Sequence, residues 1–176
     1  MLLETRQLQI RFLCEEDVPA LVALWTDPDV TRFMGGPREA ETLRAGLTKD
    51  AQWAEDAPLS LLPIVEVASG AVVGHCGLIP KEVDGQNETE LIYVLARAVW
   101  GKGYATEAAA AVMEHAFGAL GLVRLVALID PANVASARVA EKICMRHEGD
   151  TVRPSGKVLR VYAGDARHRD RALQGK

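Results

Sequence analysis

Little in this chain suits a membrane, an oxidised scaffold or a nucleic acid. Its three cysteines, Cys14, Cys76 and Cys144, are scattered and odd in number, which excludes a dense disulfide framework and fits a reducing interior. None belongs to a Cys-x-x-Cys pair or a zinc-finger spacing, and no metal is expected. No stretch approaches the roughly 20 apolar residues that span a bilayer. The longest candidate, residues 122–129, is interrupted by Arg124. The opening Met1-Leu2-Leu3-Glu4-Thr5-Arg6 lacks the long apolar run of a secretory signal, so a cytoplasmic location is the expectation. A formal charge of -4 is mild and argues against nucleic acid as the default partner. Neither Gly-x-x-x-x-Gly-Lys-Ser/Thr nor a dinucleotide glycine fingerprint occurs.

What remains is an ordinary globular chain. Its 176 residues are 49% apolar, and a domain of that size buries roughly two-thirds of the surface its unfolded chain exposes. The pattern predicts a strand from Leu8 to Leu13, then a helix capped by Asp17 with Leu21, Leu24 and Trp25 on one face, ended by Asp27-Pro28. After Gly35-Gly36-Pro37 a second helix is expected over about 38–53, with Leu43, Leu47 and Ala51 inward. Residues 59–67 and 72–79 read as a hairpin around Ala68-Ser69-Gly70-Ala71, although Pro63 disfavours a central strand position. Asp84-Gly85-Gln86-Asn87 turns the chain into a strand over 89–95. A helix over about 104–120, a buried strand over 122–129 and a helix capped by Asn133 follow. Short strands near 151–152 and 157–163 precede an arginine-rich tail, expected to fray from about 165. Hairpins first and two later helical crossings, as parallel neighbours require, predict one α/β domain over 1–176 with a mixed, mostly antiparallel sheet.

The segment Val99-Trp100-Gly101-Lys102-Gly103-Tyr104-Ala105-Thr106-Glu107 carries the chemistry. Gly101 and Gly103 let the backbone take positive φ and approach a ligand closely. The first turn of the following helix offers unpaired N–H groups, a seat for phosphate. Strand, glycine turn and helix together predict a site for a phosphorylated cofactor.

That segment, followed by the apolar strand over 122–129 and then Asn133-Val134-Ala135-Ser136-Ala137-Arg138-Val139-Ala140-Glu141-Lys142, resembles the GNAT acetyltransferase superfamily. The nearest subgroup is the one containing the ribosomal-protein N-terminal acetyltransferases. The resemblance implies a strongly twisted sheet in which the strands over 89–95 and 122–129 splay apart, with acetyl-CoA in the opening. It places the diphosphate on the amides of Val99, Trp100, Gly101, Lys102, Gly103, Tyr104 and Ala105, and the pantetheine arm beside Ile92, Tyr93, Val94 and Leu95. Asn133 would steady its loop beside that arm, with Ser136 close by. Two departures stand out. Ala98 sits where the family often has Gln or Arg, with Arg97 one place earlier, and Ile143-Cys144-Met145 replaces a small residue followed by Gly-Phe.

The implied reaction is acetyl transfer to a primary amine, either a protein N-terminal α-amine or a small molecule such as an amino acid, polyamine or antibiotic. A coenzyme A-binding scaffold without turnover is the alternative outside enzymes. An amine must lose a proton before it attacks. Glu90 is the candidate acceptor, directly or through water, with substrate-ammonium binding as its other reading. Alternation puts Glu90, Ile92 and Val94 on one strand face and Leu91, Tyr93 and Leu95 on the other. A backbone N–H near Val94 would stabilise the developing oxyanion. Ser136 occupies the place of a hydroxyl proposed in some relatives to protonate the departing thiolate, with water as the alternative. Ala140 stands where other relatives have a tyrosine acid. His75 and Cys76, adjacent on a strand, should face opposite ways and form no nucleophilic pair. Trp25, Phe33, Met34, Trp53 and the Arg153-Pro154-Ser155 loop are candidate walls for the acceptor, and a homodimer is compatible with the resemblance.

Overall fold

The computed structural model describes residues 2–52 and 60–166. Trp53 and the tail beyond Ala166 lie outside the described residues. The strands are β1 (Leu2–Glu4), β2 (Leu8–Arg11), β3 (Leu61–Glu66), β4 (Val72–Val83), β5 (Gln86–Leu95), β6 (Arg124–Ile129), β7 (Arg146–Val152) and β8 (Val158–Asp165). The helices are α1 (Val18–Thr26), α2 (Pro28–Thr31), α3 (Ala40–Gln52), α4 (Tyr104–Gly118) and α5 (Val134–Lys142). All eight strands form one sheet in the order β1-β2-β3-β4-β5-β6-β8-β7. Only the β5–β6 contact is parallel; the other neighbours are antiparallel.

The β4–β5 hairpin sets the register of the whole site. Asp84 and Gly85 both take positive φ, 49° and 79°, the signature of a two-residue turn whose twist matches the strands. Pairing then runs unbroken from Val83↔Gln86 to Gly74↔Leu95. Alternation sends Cys76, Leu78, Leu91 and Leu95 beneath α4, where Ala108, Ala109 and Val112 allow close approach. The opposite face carries Ile92 and Val94 to Leu21, Trp25 and Leu47 of α1 and α3. Leu91 and Leu125 are essentially fully buried, and truncating either to alanine should cost about 2–5 kcal/mol.

Several expectations need correction. Asp17 does not cap α1. The chain enters that helix through a short 3-10 turn that leaves Asp17 in helical geometry, and its carboxylate accepts two bonds from Arg11 at 2.6 and 2.7 Å. The cap is Asp27 instead, which starts α2 by accepting from Asp29 and Val30 amides. Pro63 sits inside the sheet because β2 pairs with β3 only as far as Ile10↔Ile64, leaving the proline just past the last partner. β1 was not foreseen, and β7 begins at Arg146, well before Thr151, with Glu148 to Asp150 inside it. Finally, β8 inserts between β6 and β7, so only the first helical crossing joins adjacent parallel strands.

Candidate active site

β5 and β6 share a single bridge, Glu90↔Val126, and part beyond it. Which main-chain groups face the gap follows from the hairpin. Ala96 N–H donates to the Val73 carbonyl at 2.8 Å. Antiparallel alternation then spends the amides of Val94 and Ile92 on β4 and turns those of Tyr93 and Leu95 toward the opening. The Val94 amide itself is therefore committed within the sheet, and the backbone donors near it that face the gap are those of Tyr93 and Leu95. Of the four residues expected beside a pantetheine arm, Tyr93 and Leu95 present their backbone to the gap. Trp100, itself half exposed, closes the end of β5 by donating its indole N–H to the Leu95 carbonyl at 2.8 Å.

The glycine turn stands at the mouth of this gap. Gly101 and Gly103 have φ of 79° and 85°, and a Cβ on either would meet nothing within 4 Å. Their requirement is thus conformational, and the space over them is open, as a backbone cradle for a diphosphate needs. Gly103 caps α4 in left-handed geometry without a side-chain cap, which leaves the N–H groups of Tyr104, Ala105 and Thr106 without helical partners. Val99 is buried beneath the turn. Tyr104 anchors it by donating to Glu66 at 2.6 Å, and Lys102 reaches the same carboxylate at 3.3 Å. The Tyr104 hydroxyl, with Ser69 and Lys102, holds the Glu66 carboxyl well below its usual range, at about 2. Glu107 braces the first turn of α4 against the β1–β2 connection by accepting from Thr5 Oγ1, Gln7 N and Gln7 Nε2. Arg97 points away from the gap and pairs with Asp29 of α2.

On the other face of β5 lies a cavity of about 1050 Å³. Glu90 is 8% exposed and lines it together with Ile92, Leu128 and Trp25. Burial raises the Glu90 carboxyl above its usual value, against the pull of Lys81, the Leu128 amide and Arg153. The Lys81 ammonium lies 3.6 Å away. Lys81 was missed in the sequence, yet the two-residue turn makes Ile79 face Glu90 and puts Lys81 one diagonal step along the same face. Phe33, Met34 and Arg153 join the wall, as expected. The unforeseen tie is Lys157, which donates to the Phe33 carbonyl at 2.8 Å and pairs with Asp130 at 2.9 Å. It fastens the β7–β8 turn to the Gly35-Gly36 connection and closes one side of the cavity.

Trp25 serves both core and cavity. Its indole N–H donates to His75 Nδ1 at 3.1 Å, so the imidazole proton resides on Nε2, which has no partner of good hydrogen-bond geometry among the described residues. Burial pushes the imidazole down to about 4, and the ring stays neutral at physiological pH. Cys76 faces the α4 side, completely buried, its thiol pushed up by desolvation. No cysteine–histidine pair forms.

On that same α4 side, Tyr93 and Ser136 join. The Ser136 hydroxyl donates to Tyr93 Oη at 3.0 Å, and the tyrosine donates to the Ser136 carbonyl at 2.9 Å. Burial lifts the Tyr93 phenol to about 12. Asn133 caps α5 by accepting from the Ser136 amide at 3.1 Å. The helix ends with Met145 N–H on the Ala140 carbonyl and Cys144 N–H on Glu141, a closing turn that puts Cys144 at φ 66°. The departure at Ile143-Cys144-Met145 thus places a cysteine in the left-handed position that the resemblance gives to glycine.

A sheet split beside a glycine turn, with a buried carboxylate on one face and a hydroxyl pair on the other, is the arrangement of an acetyltransferase. The chain belongs to the acetyltransferase (GNAT) domain family, which it matches over residues 7–146. The general activity of that family is acetyl-CoA-dependent N-acetylation. Among similar proteins, the uncharacterised Bacillus subtilis protein YkkB is 34% identical over 161 residues, covering 91% of this chain and 93% of the relative. A GNAT-family acetyltransferase from Bacillus anthracis superposes with a TM-score of 0.81 at 27% identity, over 95% of this chain and 99% of that one. RimL, a ribosomal L7/L12 α-N-protein acetyltransferase solved with coenzyme A, shares the fold at 18% identity with a TM-score of 0.76, over 94% and 98% of the two chains.

Proposed function

We propose that this chain transfers the acetyl group of acetyl-CoA to a primary amine, with Glu90 accepting the amine's proton. The observation that carries this is the Glu90↔Val126 bridge. It puts a buried carboxylate at the point where the two strands begin to separate. The residues fit the cofactor. Open space over Gly101 and Gly103, together with the unpaired amides that begin α4, suits a diphosphate. The main chain of Tyr93 and Leu95 lines the path of an extended arm. When bound, acetyl-CoA supplies a thioester carbonyl that is already activated.

The residues then have distinct tasks. An alkyl ammonium has a pKa near 10.4, so presenting it neutral at pH 7 costs on the order of 4–5 kcal/mol. Glu90 takes that proton, directly or through one water. Lys81 opposes the rise that burial imposes on the Glu90 carboxyl and gives up its partner when the amine arrives. No chain nucleophile intervenes, because Cys76 lies on the other face. On the thiol side Ser136 gives its hydroxyl proton to Tyr93 Oη and Tyr93 gives its own to the Ser136 carbonyl, so either one reaches a departing thiolate only by leaving that pair. Full proton donation by Tyr93, at about 12, to a thiolate of pKa about 8.5 is uphill, so solvent returns the last proton.

The acceptor is the amine of a small molecule or of a protein N-terminus. The motif resemblance to ribosomal-protein acetyltransferases supports the second, and the cavity beside Glu90, walled by α1, α3 and the β7–β8 turn, supports the first. The three free cysteines support a reducing, cytoplasmic setting. Free-thiol release measured over peptides with varied first residues, amino acids and polyamines tests the proposal. Coenzyme A binding without turnover on any acceptor would favour a scaffold instead.

A further inference from the structure

The acceptor cavity is unevenly charged. On its strand side stand Lys81, Arg153 and Lys157; the α3 side contributes Glu39 and Asp50, with Arg38 nearby. Most of these charges are already engaged. Lys81 pairs with Glu90 and Lys157 with Asp130. Glu39 accepts from the Glu41 and Thr42 amides at the start of α3. Arg38 donates to the Met34 carbonyl and lies over the Trp25 ring.

Arg153 is different. It is half-buried, and the one hydrogen bond of its guanidinium among the described residues, 3.0 Å from Nη1 to the Glu82 carbonyl, is to a neutral group. Among the described residues no carboxylate lies within ion-pair distance of its guanidinium. Its charge nevertheless bears on Glu90, so it shares the chamber with the proposed base. A half-buried guanidinium with donors to spare, on the wall of this cavity, is suited to bidentate recognition of a planar or tetrahedral oxyanion. The wall nearest Glu90 carries the positive groups Lys81, Arg153 and Lys157, while Glu39 and Asp50 lie on the α3 side.

Given Glu90 as the proton acceptor, we infer that the acceptor is a small amine that also carries an anionic oxygen group, a carboxylate or a phosphate, which Arg153 binds while the amine faces Glu90. Protein N-termini and polyamines are then poor acceptors. Losing one charge-assisted bidentate contact should raise KM for the anionic acceptor by about 10- to 100-fold.

The test uses the full chain, wild type and Arg153→Gln, with two readouts. Thiol release from acetyl-CoA is followed with the common α-amino acids against their carboxamides and decarboxylated amines, with phosphoethanolamine against ethanolamine, and with neutral peptides. Calorimetry measures binding of the same compounds to the coenzyme A complex. The expected result is at least a tenfold preference of the wild type for anionic acceptors. Arg153→Gln should lose that preference through KM, with kcat within about threefold and coenzyme A affinity unchanged. Equal use of neutral analogues would overturn the inference while leaving Glu90 in place, as would an equal loss on every acceptor in Arg153→Gln. Arg153-dependent binding of anionic amines without any transfer would uphold it and overturn the Glu90 reading. Neither binding nor transfer would sink both.

Discussion

Replacing Glu90 by glutamine removes a charge and almost no volume, so it separates chemistry from packing. The side chain is 8% exposed and faces the acceptor cavity, away from the glycine turn. Coenzyme A affinity should therefore be unchanged. Loss of a general base typically costs 10²- to 10⁴-fold, about 3–5 kcal/mol of barrier, and kcat/KM at pH 7 should fall by that much. The deficit should shrink with pH. An amine of pKa about 10.4 is neutral in only about 0.04% of molecules at pH 7 and about 4% at pH 9. The variant, which depends on amine already neutral, should regain about 100-fold across that span while the wild type stays nearly flat. Stability should move the other way. A carboxyl whose folded pKa is raised contributes stability below its unfolded value that is lost as pH rises through the folded one. The folded protein disfavours the charged carboxyl, so Glu90→Gln should gain stability relative to wild type as pH rises. The assay is a pH series of thiol release beside thermal melting and calorimetry. Turnover within twofold of wild type, or a deficit constant from pH 7 to 9, would refute Glu90 as base.

Other outcomes follow from the same geometry. Gly103→Val forces a β-branched residue to φ 85°, so coenzyme A should bind at least tenfold more weakly by calorimetry while circular dichroism stays native. Unaltered affinity would dismiss the phosphate cradle. His75 titrates near 6.5 unfolded and near 4 folded; its neutral burial stabilises above pH 6.5, and that contribution, about 3 kcal/mol, disappears as pH falls toward 4. Urea midpoints measured from pH 7 to 4 should show the fall, much reduced in His75→Asn. Cys144→Gly places the permissive residue at φ 66° and should stabilise by about 0.5–1 kcal/mol, read as a higher melting temperature without change in kcat.

The local sequence pattern determined the element order, the glycine turn and the face on which Glu90 lies, because each depends on contacts a few residues apart. Asp84-Gly85 even specified the β4–β5 register, and with it the diagonal approach of Lys81 to Glu90. The chain's departure at Cys144 was visible as a substitution, but its left-handed backbone was not.

What the tertiary structure decided were the encounters across large separations, where no spacing rule applies. Asp17 looked like a cap and became the partner of Arg11, since a 3-10 turn altered its backbone. Ser136 meets Tyr93 only because α5 packs over the gap left by the parting strands. Lys157 closes the cavity through a bond to Phe33, 124 positions away in the chain. Arg153 joins Glu90 only because β8 lies between β6 and β7, which brings the β7–β8 turn to the cavity. Local periodicity selects strands and helices, whereas the partner of a charged side chain depends on which desolvated surfaces the completed sheet brings together.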